Sequence, residues 1–435
     1  MEKIIKAIIV GCGHRARRYA KEAISYNKNF KIVAIVDPDI HILELYKKEF
    51  NVCDEMCFTS IDQVLKLGKI ADCIINGTMD ELHIQTTVPF LEQGYDVLLE
   101  KPITNNKEEL TYLKDVADKY GNKVMVCHVL RFADFYRRTK EVILSGEIGE
   151  IVHIETTERV GVAHNAISFI RGKWNNEEKC GSSMLLAKCC HDIDLICWLN
   201  NATKPKKVSS FGGRSFILPE KAPEGAGERC LVDCPHVDTC QYSAKMMLLE
   251  SNNYLASYPW QCTGKEWYEI TEEEKIESLK TYNPHGECAY KANATVVDHQ
   301  TVSIEFENGS TATHGLLCSA QRAGRSFYIL GTHGEIEGWG GDGKIYVRTF
   351  DSVDHGNIDK GKERVIDFTN SDQGEKSGHF GGDKNLTHDF VDFLMYDKRS
   401  ISCTTLDDSI NGHLCVFAAD ISRKEDRNVY IDSLK

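Results

Sequence analysis

Nothing in this chain approaches the ~20 consecutive apolar residues that cross a bilayer as a helix. Its apolar N-terminal segment, Ile4 to Val10, is interrupted by Lys6. It is shorter than a signal-peptide core and runs into a glycine turn, so it reads as a strand rather than a leader. Positive charge is in deficit: 52 Lys and Arg stand against 65 Asp and Glu, a net charge of −13. That balance argues against a nucleic acid as partner, whose phosphates call for basic faces, and against an anionic membrane surface. There is no internal repeat and no low-complexity tail. The expectation is a cytoplasmic protein without nucleic-acid or membrane partners. With 435 residues, 42% hydrophobic and 27% charged, it has material for two or three domains. Cysteine is the one excess, at 17. Without an export signal most should be reduced thiols packed as small apolar groups, and Cys73, Cys127, Cys197, Cys318 and Cys415 sit in apolar surroundings that fit.

The first strand is followed at once by Gly11-Cys12-Gly13-His14-Arg15-Ala16. In a dinucleotide fingerprint Gly11 permits the tight turn, Gly13 lets a pyrophosphate approach the backbone, and Ala16 keeps the helix close to the sheet. A second strand, Phe30 to Val36, ends in Asp37, an acid placed to accept from a ribose hydroxyl and to repel a 2′-phosphate. NAD is therefore expected over NADP, with Arg15 and Arg17 as the groups that could offset the acid. The alternation continues through a strand ending in Asn76, with Gly77, Thr78 and His83 after it, to residue 127. This predicts a doubly wound parallel sheet with right-handed crossovers. His83 has two readings, a helix-start residue near the cofactor or a solvated helix histidine.

Val97-Leu98-Leu99 is a buried strand that ends in Glu100-Lys101-Pro102. A lysine there sits where open α/β sheets bind their ligands. Past the junction His128 to Phe132 and a helix over Tyr136 to Leu144, Gly181-Ser182-Ser183-Met184 introduces a helix that ends near Leu199. Lys188, His191 and Asp194 are spaced three apart and should project from one face. The rest of that helix is strongly apolar, so a buried Lys/His/carboxylate stripe needs a reason. Those residue types are the ones proton transfer needs.

The glycine turn, Glu100-Lys101-Pro102, Arg131-Phe132 and His191-Asp192-Ile193-Asp194 together resemble the glucose-fructose oxidoreductase/inositol dehydrogenase (Gfo/Idh/MocA) family, over nearly the whole chain. The resemblance implies an N-terminal Rossmann domain over 1–127. It implies a substrate-binding and oligomerisation α+β domain over 128–435, built on a large open, mostly antiparallel sheet. It makes Lys101 the active-site lysine and His191 the catalytic histidine. The family often has an aspartate four residues before that histidine, where this chain has Ala187 with Lys188 beside it. It also implies that the exposed face of the large sheet pairs between subunits, giving a homo-oligomer, a dimer or tetramer. The cofactor contacts expected are Gly11, Gly13, His14, Arg15, Asp37, Asn76, Thr78, His83, Glu100 and Lys101. Arg131, Trp174 and His379 are the expected substrate contacts.

Between about 217 and 290 the pattern changes to a cysteine-rich insert. Cys230, Cys234 and Cys240 are close together, with Cys262 and Cys288 further on. In a reducing compartment such a cluster reads as metal ligands sooner than disulfides. Structural zinc on Cys230, Cys234, Cys240 and Cys288 is one reading and free thiols the other, with Cys262, His236 and His285 as alternative fourth ligands. From His299 the signal turns to strands. Asn308-Gly309 marks a hairpin, and further strands run over Ser326 to Leu330, Glu335 to Trp339, Lys344 to Thr349 and Arg364 to Phe368.

Three functional readings follow. The leading one is hydride transfer between NAD and a hydroxyl-bearing carbon of a sugar, inositol or glycoside. His191 would then be the base and Lys101 the group polarising the oxygen, or the reverse. A cationic nicotinamide would depress the Lys101 pKa. Asp194 would orient His191, and Lys188 would be an extra acid or base. The second keeps the fold but cleaves a glycoside through transient oxidation, elimination and re-reduction, a course that an added acid/base at Lys188 would suit. The third is an NAD-binding sensor without turnover, against which Lys101, Lys188 and His191 together count.

Overall fold

In the computed structural model of the chain, residues 3–434 are described apart from 252–254, 256–257, 266, 351–360 and 370–380. Short apolar strands alternate with amphipathic helices through the first 126 residues. The strands are β1 (Ile5–Val10), β2 (Phe30–Val36), β3 (Cys57–Phe58), β4 (Cys73–Asn76), β5 (Asp96–Leu99) and β6 (Val124–Val126). They form one parallel sheet in the order β3-β2-β1-β4-β5-β6. Ile74, Val97, Leu98 and Leu99 are completely buried, because helices cover both faces of such a sheet. The helix Lys107–Tyr120 shows how local the signals are. Asn106 caps it by accepting the Glu108 N–H, and Gly121 ends it at φ 69°. Strand order reverses between β1 and β4, so the crevice at their carboxyl ends is the switch point where such sheets bind ligands. The Gly11 turn and Lys101 both open on it.

The second sheet has nine strands: β7 (Ile151–Gly161), β8 (Pro205–Gly213), β9 (His299–Phe306), β10 (Thr311–Ala320), β11 (Gly324–Gly331), β12 (Gly334–Trp339), β13 (Lys344–Thr349), β14 (Lys362–Asp367) and β15 (Val429–Tyr430). Their order is β14-β13-β12-β11-β7-β10-β9-β8-β15, antiparallel except for the parallel pair of β7 with β10. Gly309, at φ 87°, makes the turn that sets β10 antiparallel to β9. The apolar helices Cys190–Leu199 and Leu406–Glu425 pack together on one face. The chain then returns to its start. Leu386, Phe390, Val391 and Leu394 of the helix Gly382–Tyr396 share a core with Ala16, Tyr19 and Ala20, so the first unit draws on residues from both ends of the sequence. His379 lies outside the described residues. The buried thiols behave as small apolar groups: Cys197 and Cys415 pack sulfur to sulfur at 4.0 Å, and burial holds Cys73 and Cys127 well above the usual thiol range.

Candidate active site

Gly11 adopts φ 78°, and a Cβ there would lie 2.6 Å from the Thr78 nitrogen, so no side chain is tolerated. Gly13 stands at the head of the helix His14–Tyr26, which has no side-chain cap. A Cβ on Gly13 would meet nothing nearer than Gly77 O at 3.6 Å. The result is an open cradle of unpaired N–H groups, with His14 exposed beside it, suited to a pyrophosphate. Asp37 follows β2 and is fixed by the N–H groups of Cys12 (2.8 Å) and Asp39 (3.0 Å). Both arginines that could have welcomed a 2′-phosphate are committed elsewhere. Arg15 pairs with Glu100 at 3.0 Å and Asp383 at 2.6 Å, and Arg17 with Glu49 at 2.5 Å. The residues present fit NAD.

Two expected cofactor contacts turn out to build the pocket wall instead. Asn76 spends its amide on its neighbours. Its Nδ2 donates to Thr86 and Thr87, and its Oδ1 accepts from the N–H and hydroxyl of Thr78. His83 is neither solvated nor directed at a ligand. It is completely buried, with Nδ1 2.7 Å from Pro102 O and Nε2 3.2 Å from Thr78 O, and so ties the loop after β4 to the turn after β5.

Glu100 accepts from Tyr19 at 2.8 Å and from the Lys101 N–H at 2.7 Å. Burial raises its pKa, but Arg15 and Lys101 bring it below the ordinary value, so it stays charged. Lys101 Nζ donates to Ala187 O at 3.1 Å, which brings the end of β5 against the start of the histidine helix. Burial works against the Lys101 ammonium. Cys190, Glu100 and Asp80 more than offset it, and the pKa lies above the ordinary lysine value. Lys101 is a cation at neutral pH, and its acidic neighbours oppose the depression expected from a nicotinamide.

The histidine helix is not α-helical from its start. Leu185–Cys189 is a π turn, and the α-helix proper is Cys190–Leu199. The wider turn breaks the three-residue spacing, so the expected stripe splits. Lys188 leaves the face of His191 and pairs with Glu158 at 3.4 Å. Glu158 and Asp192 both hold Arg325 at 2.8 Å, making a buried charge network behind the helix. Cys189, Asp192 and His314 form the one described group with metal-ligand proximity. Both Asp192 oxygens already accept from Arg325, and His314 Nδ1 pairs with Thr156, so these groups serve the network.

Asp194 does not orient His191. It is gripped by Arg131, Nε at 2.7 Å and Nη2 at 2.5 Å, and Arg131 also donates to Asp408 O. Arg131 is completely buried and cannot touch a substrate. The expectation treated the two charges separately, and each is the other's partner. One neighbour that does meet His191 is His128, ring to ring at 5.9 Å and edge-on. Burial, with Arg131 and Lys101 adding to it, holds His128 far below the usual histidine range, so it is neutral. Its signal in the sequence was position: a histidine immediately after a parallel strand, at the edge where such sheets bind ligands. His413 is a second buried histidine here, held by Thr104 O at 2.8 Å and pushed down to about 4 by burial. Trp174 packs on Phe169 under Lys173, whose Nζ lies 4.1 Å from the indole centroid and 3.9 Å from Met79 Sδ. That places Trp174 beside the loop after β4, at the side of the crevice.

Residues 5–128 match the model of an oxidoreductase family with an NAD-binding Rossmann fold. Residues 136–228 match a GFO/IDH/MocA C-terminal domain. Among curated proteins, the Bacillus subtilis (strain 168) chain YteT, named as an oxidoreductase, is 24% identical over 341 residues, 76% of each chain. An inositol 2-dehydrogenase of Corynebacterium glutamicum (strain R) is 24% identical over 204 residues, 46% of this chain and 55% of that one. Among solved structures, scyllo-inositol dehydrogenase from Lactobacillus casei, with bound NAD(H) and scyllo-inositol, superposes with a TM-score of 0.64 at 18% identity, covering 99% of this chain and 100% of that one. With the glycine cradle, Asp37, and Lys101 against the His191 helix, these matches make the chain a member of the Gfo/Idh/MocA family of NAD-binding oxidoreductases.

Proposed function

We propose that this enzyme moves hydride between NAD and a hydroxyl-bearing carbon of a sugar, inositol or glycoside. The observation that carries the proposal is the 3.1 Å contact of Lys101 Nζ with Ala187 O. It joins the carboxyl end of a Rossmann strand to the helix of His191, across the crevice in which a nicotinamide belongs. NAD, when bound, supplies the hydride acceptor. The chain supplies position and proton handling. The helix N-terminus after Gly13 holds the pyrophosphate and Asp37 the ribose. Lys101, kept charged by Glu100 and Asp80, donates to the substrate oxygen and stabilises it as it loses its proton. His191 takes that proton, since a lysine held above its ordinary pKa is a poor base at pH 7. Trp174 walls the substrate side. The face of the large sheet that exposes Phe211 (67%) and Leu317 (45%) is the face on which copies of the chain would pair.

The glycoside-cleaving alternative rests on Lys188, and Glu158 competes for that residue. Lys188→Ala separates the two. For a plain dehydrogenase, NADH formation should slow only modestly. For redox-assisted cleavage, aglycone release should fall more than the first hydride transfer, leaving reduced cofactor trapped on the enzyme. Following both signals in one stopped-flow experiment with an aryl glycoside distinguishes them.

A further inference from the structure

Four cysteines of the insert stand around one hollow, with no three of their sulfurs within 4.8 Å of one another. Cys230, Cys234, Cys240 and Cys288 line a single small cavity of about 10 Å³, together with His236 and Arg171, room for one atom-sized guest. Two backbone segments are tied across it. Arg229 and Glu287 form an antiparallel bridge, the Cys230 N–H donates to Gly286 O at 2.9 Å, and the Cys288 N–H donates to Glu228 O at 2.8 Å. Two of the sulfurs accept hydrogen bonds: Cys240 Sγ receives the Tyr242 N–H at 3.4 Å, and Cys230 Sγ, itself 3.9 Å from Glu287 O, receives the Arg171 guanidinium at 3.6 Å. Hydrogen bonds to sulfur are a usual surrounding of metal-bound thiolate.

Arg171 is the independent observation. It is 4% exposed. Its Nε donates to Glu287 O at 2.7 Å, and its Nη2 donates to Tyr242 O at 2.7 Å and Cys230 Sγ at 3.6 Å. Among the described residues it has no carboxylate partner within ion-pair distance. A buried guanidinium needs a counter-charge, and the groups beside it that can supply one are the thiols. Four neutral thiols supply none. Four thiolates on a divalent cation carry a net charge of −2, and Arg171 offsets one unit.

We propose that Cys230, Cys234, Cys240 and Cys288 bind one divalent, thiolate-preferring cation, zinc foremost, as a structural centre. Binding replaces four S–H bonds with four metal–sulfur bonds and releases four protons, with no change of oxidation state. Of the alternative ligands, His236 also lines the cavity but has Nε2 held by Glu224 O at 2.7 Å, and the other two are engaged elsewhere. His285 has both ring nitrogens engaged, by Asn283 Oδ1 and Ile167 O, each at 3.1 Å. Cys262 is exposed and donates to Pro259 O. The four sulfurs stand more openly than a closed tetrahedron, whose ~2.3 Å metal–sulfur bonds set edges of roughly 3.8 Å, so loading has to draw the cysteine-bearing segments together. Arg171 begins the segment that continues to Trp174, so a firm centre also steadies the side of the substrate crevice.

The test uses the full-length protein purified without chelator. Elemental analysis should find about one zinc per chain, the usual stoichiometry of a four-thiolate site. Reconstitution with Co(II) in place of zinc should give the visible bands of tetrahedral cobalt thiolate. Cys240→Ser should abolish those bands and lower the melting temperature, and a mercurial should release the metal from the wild type in step with thiol modification. Metal-free wild-type protein that takes up no Co(II), with all four thiols freely titratable, overturns the proposal. So does protein in which two or four of these cysteines are missing from the thiol count because they are paired as disulfides.

Discussion

Replacing His191 with alanine is expected to lower turnover by roughly 10²–10⁴, the usual worth of a positioned acid/base group, while NAD binding stays at the wild-type level. The separation follows from where the parts sit. The Gly11 turn, the Gly13 cradle and Asp37 belong to β1, β2 and the helix between them, elements separate from the helix Cys190–Leu199 that carries His191. His191 is 6% exposed on that helix, so alanine removes a proton acceptor without exposing a core. Fluorescence titration with NAD and NADP, beside steady-state rates on the best substrate found, checks both halves. NAD should remain preferred in the variant, since Asp37 is intact and Arg15 and Arg17 are committed to carboxylates. A variant that loses NAD binding together with turnover would show that His191 supports the fold of the crevice instead.

Arg131→Ala is expected to destabilise the protein by about 3–5 kcal/mol, the cost of leaving one member of a buried ion pair uncompensated. Burial already pushes the Asp194 carboxyl above its ordinary pKa, and Arg131 pulls it back only in part. Without the guanidinium the acid must be buried alone or take up a proton. Asp194→Ala should cost a similar amount. The double variant should cost less than the sum of the two, because neither charge is then left stranded. Urea unfolding of the four proteins reads the cycle. An Arg131→Ala protein of unchanged stability with a raised KM would return Arg131 to the substrate-binding role that its place in the sequence suggests.

The parts that sequence could read are those governed by local rules. An apolar run between turn residues becomes a buried strand whatever surrounds it, which is why Ile74 and Val97 to Leu99 lie where expected. The Gly11 turn and the caps of the helix Lys107–Tyr120 depend on their own few residues. The charged stripe Lys188, His191, Asp194 followed from assuming 3.6 residues per turn. The π turn at Leu185–Cys189 removes that assumption. Arg131 with Asp194, and Arg325 with Glu158 and Asp192, are pairings across 63 to 167 positions that no local pattern announces. His128 stands at the end of a parallel strand, but its partner His191 lies 63 positions on, beyond any local pattern. The return of the helix Gly382–Tyr396 to the first sheet is likewise a matter of tertiary packing, visible only in its apolar face.

The most direct test of the central claim is a screen of sugars, inositols and aryl glycosides with NAD, following NADH absorbance and aglycone release in the same reaction, with wild type and Lys101→Met side by side. The account predicts NADH formation by the wild type with at least one hydroxyl-bearing member of that class, and its loss in the variant while NAD still binds. Turnover in Lys101→Met equal to that of the wild type would contradict it.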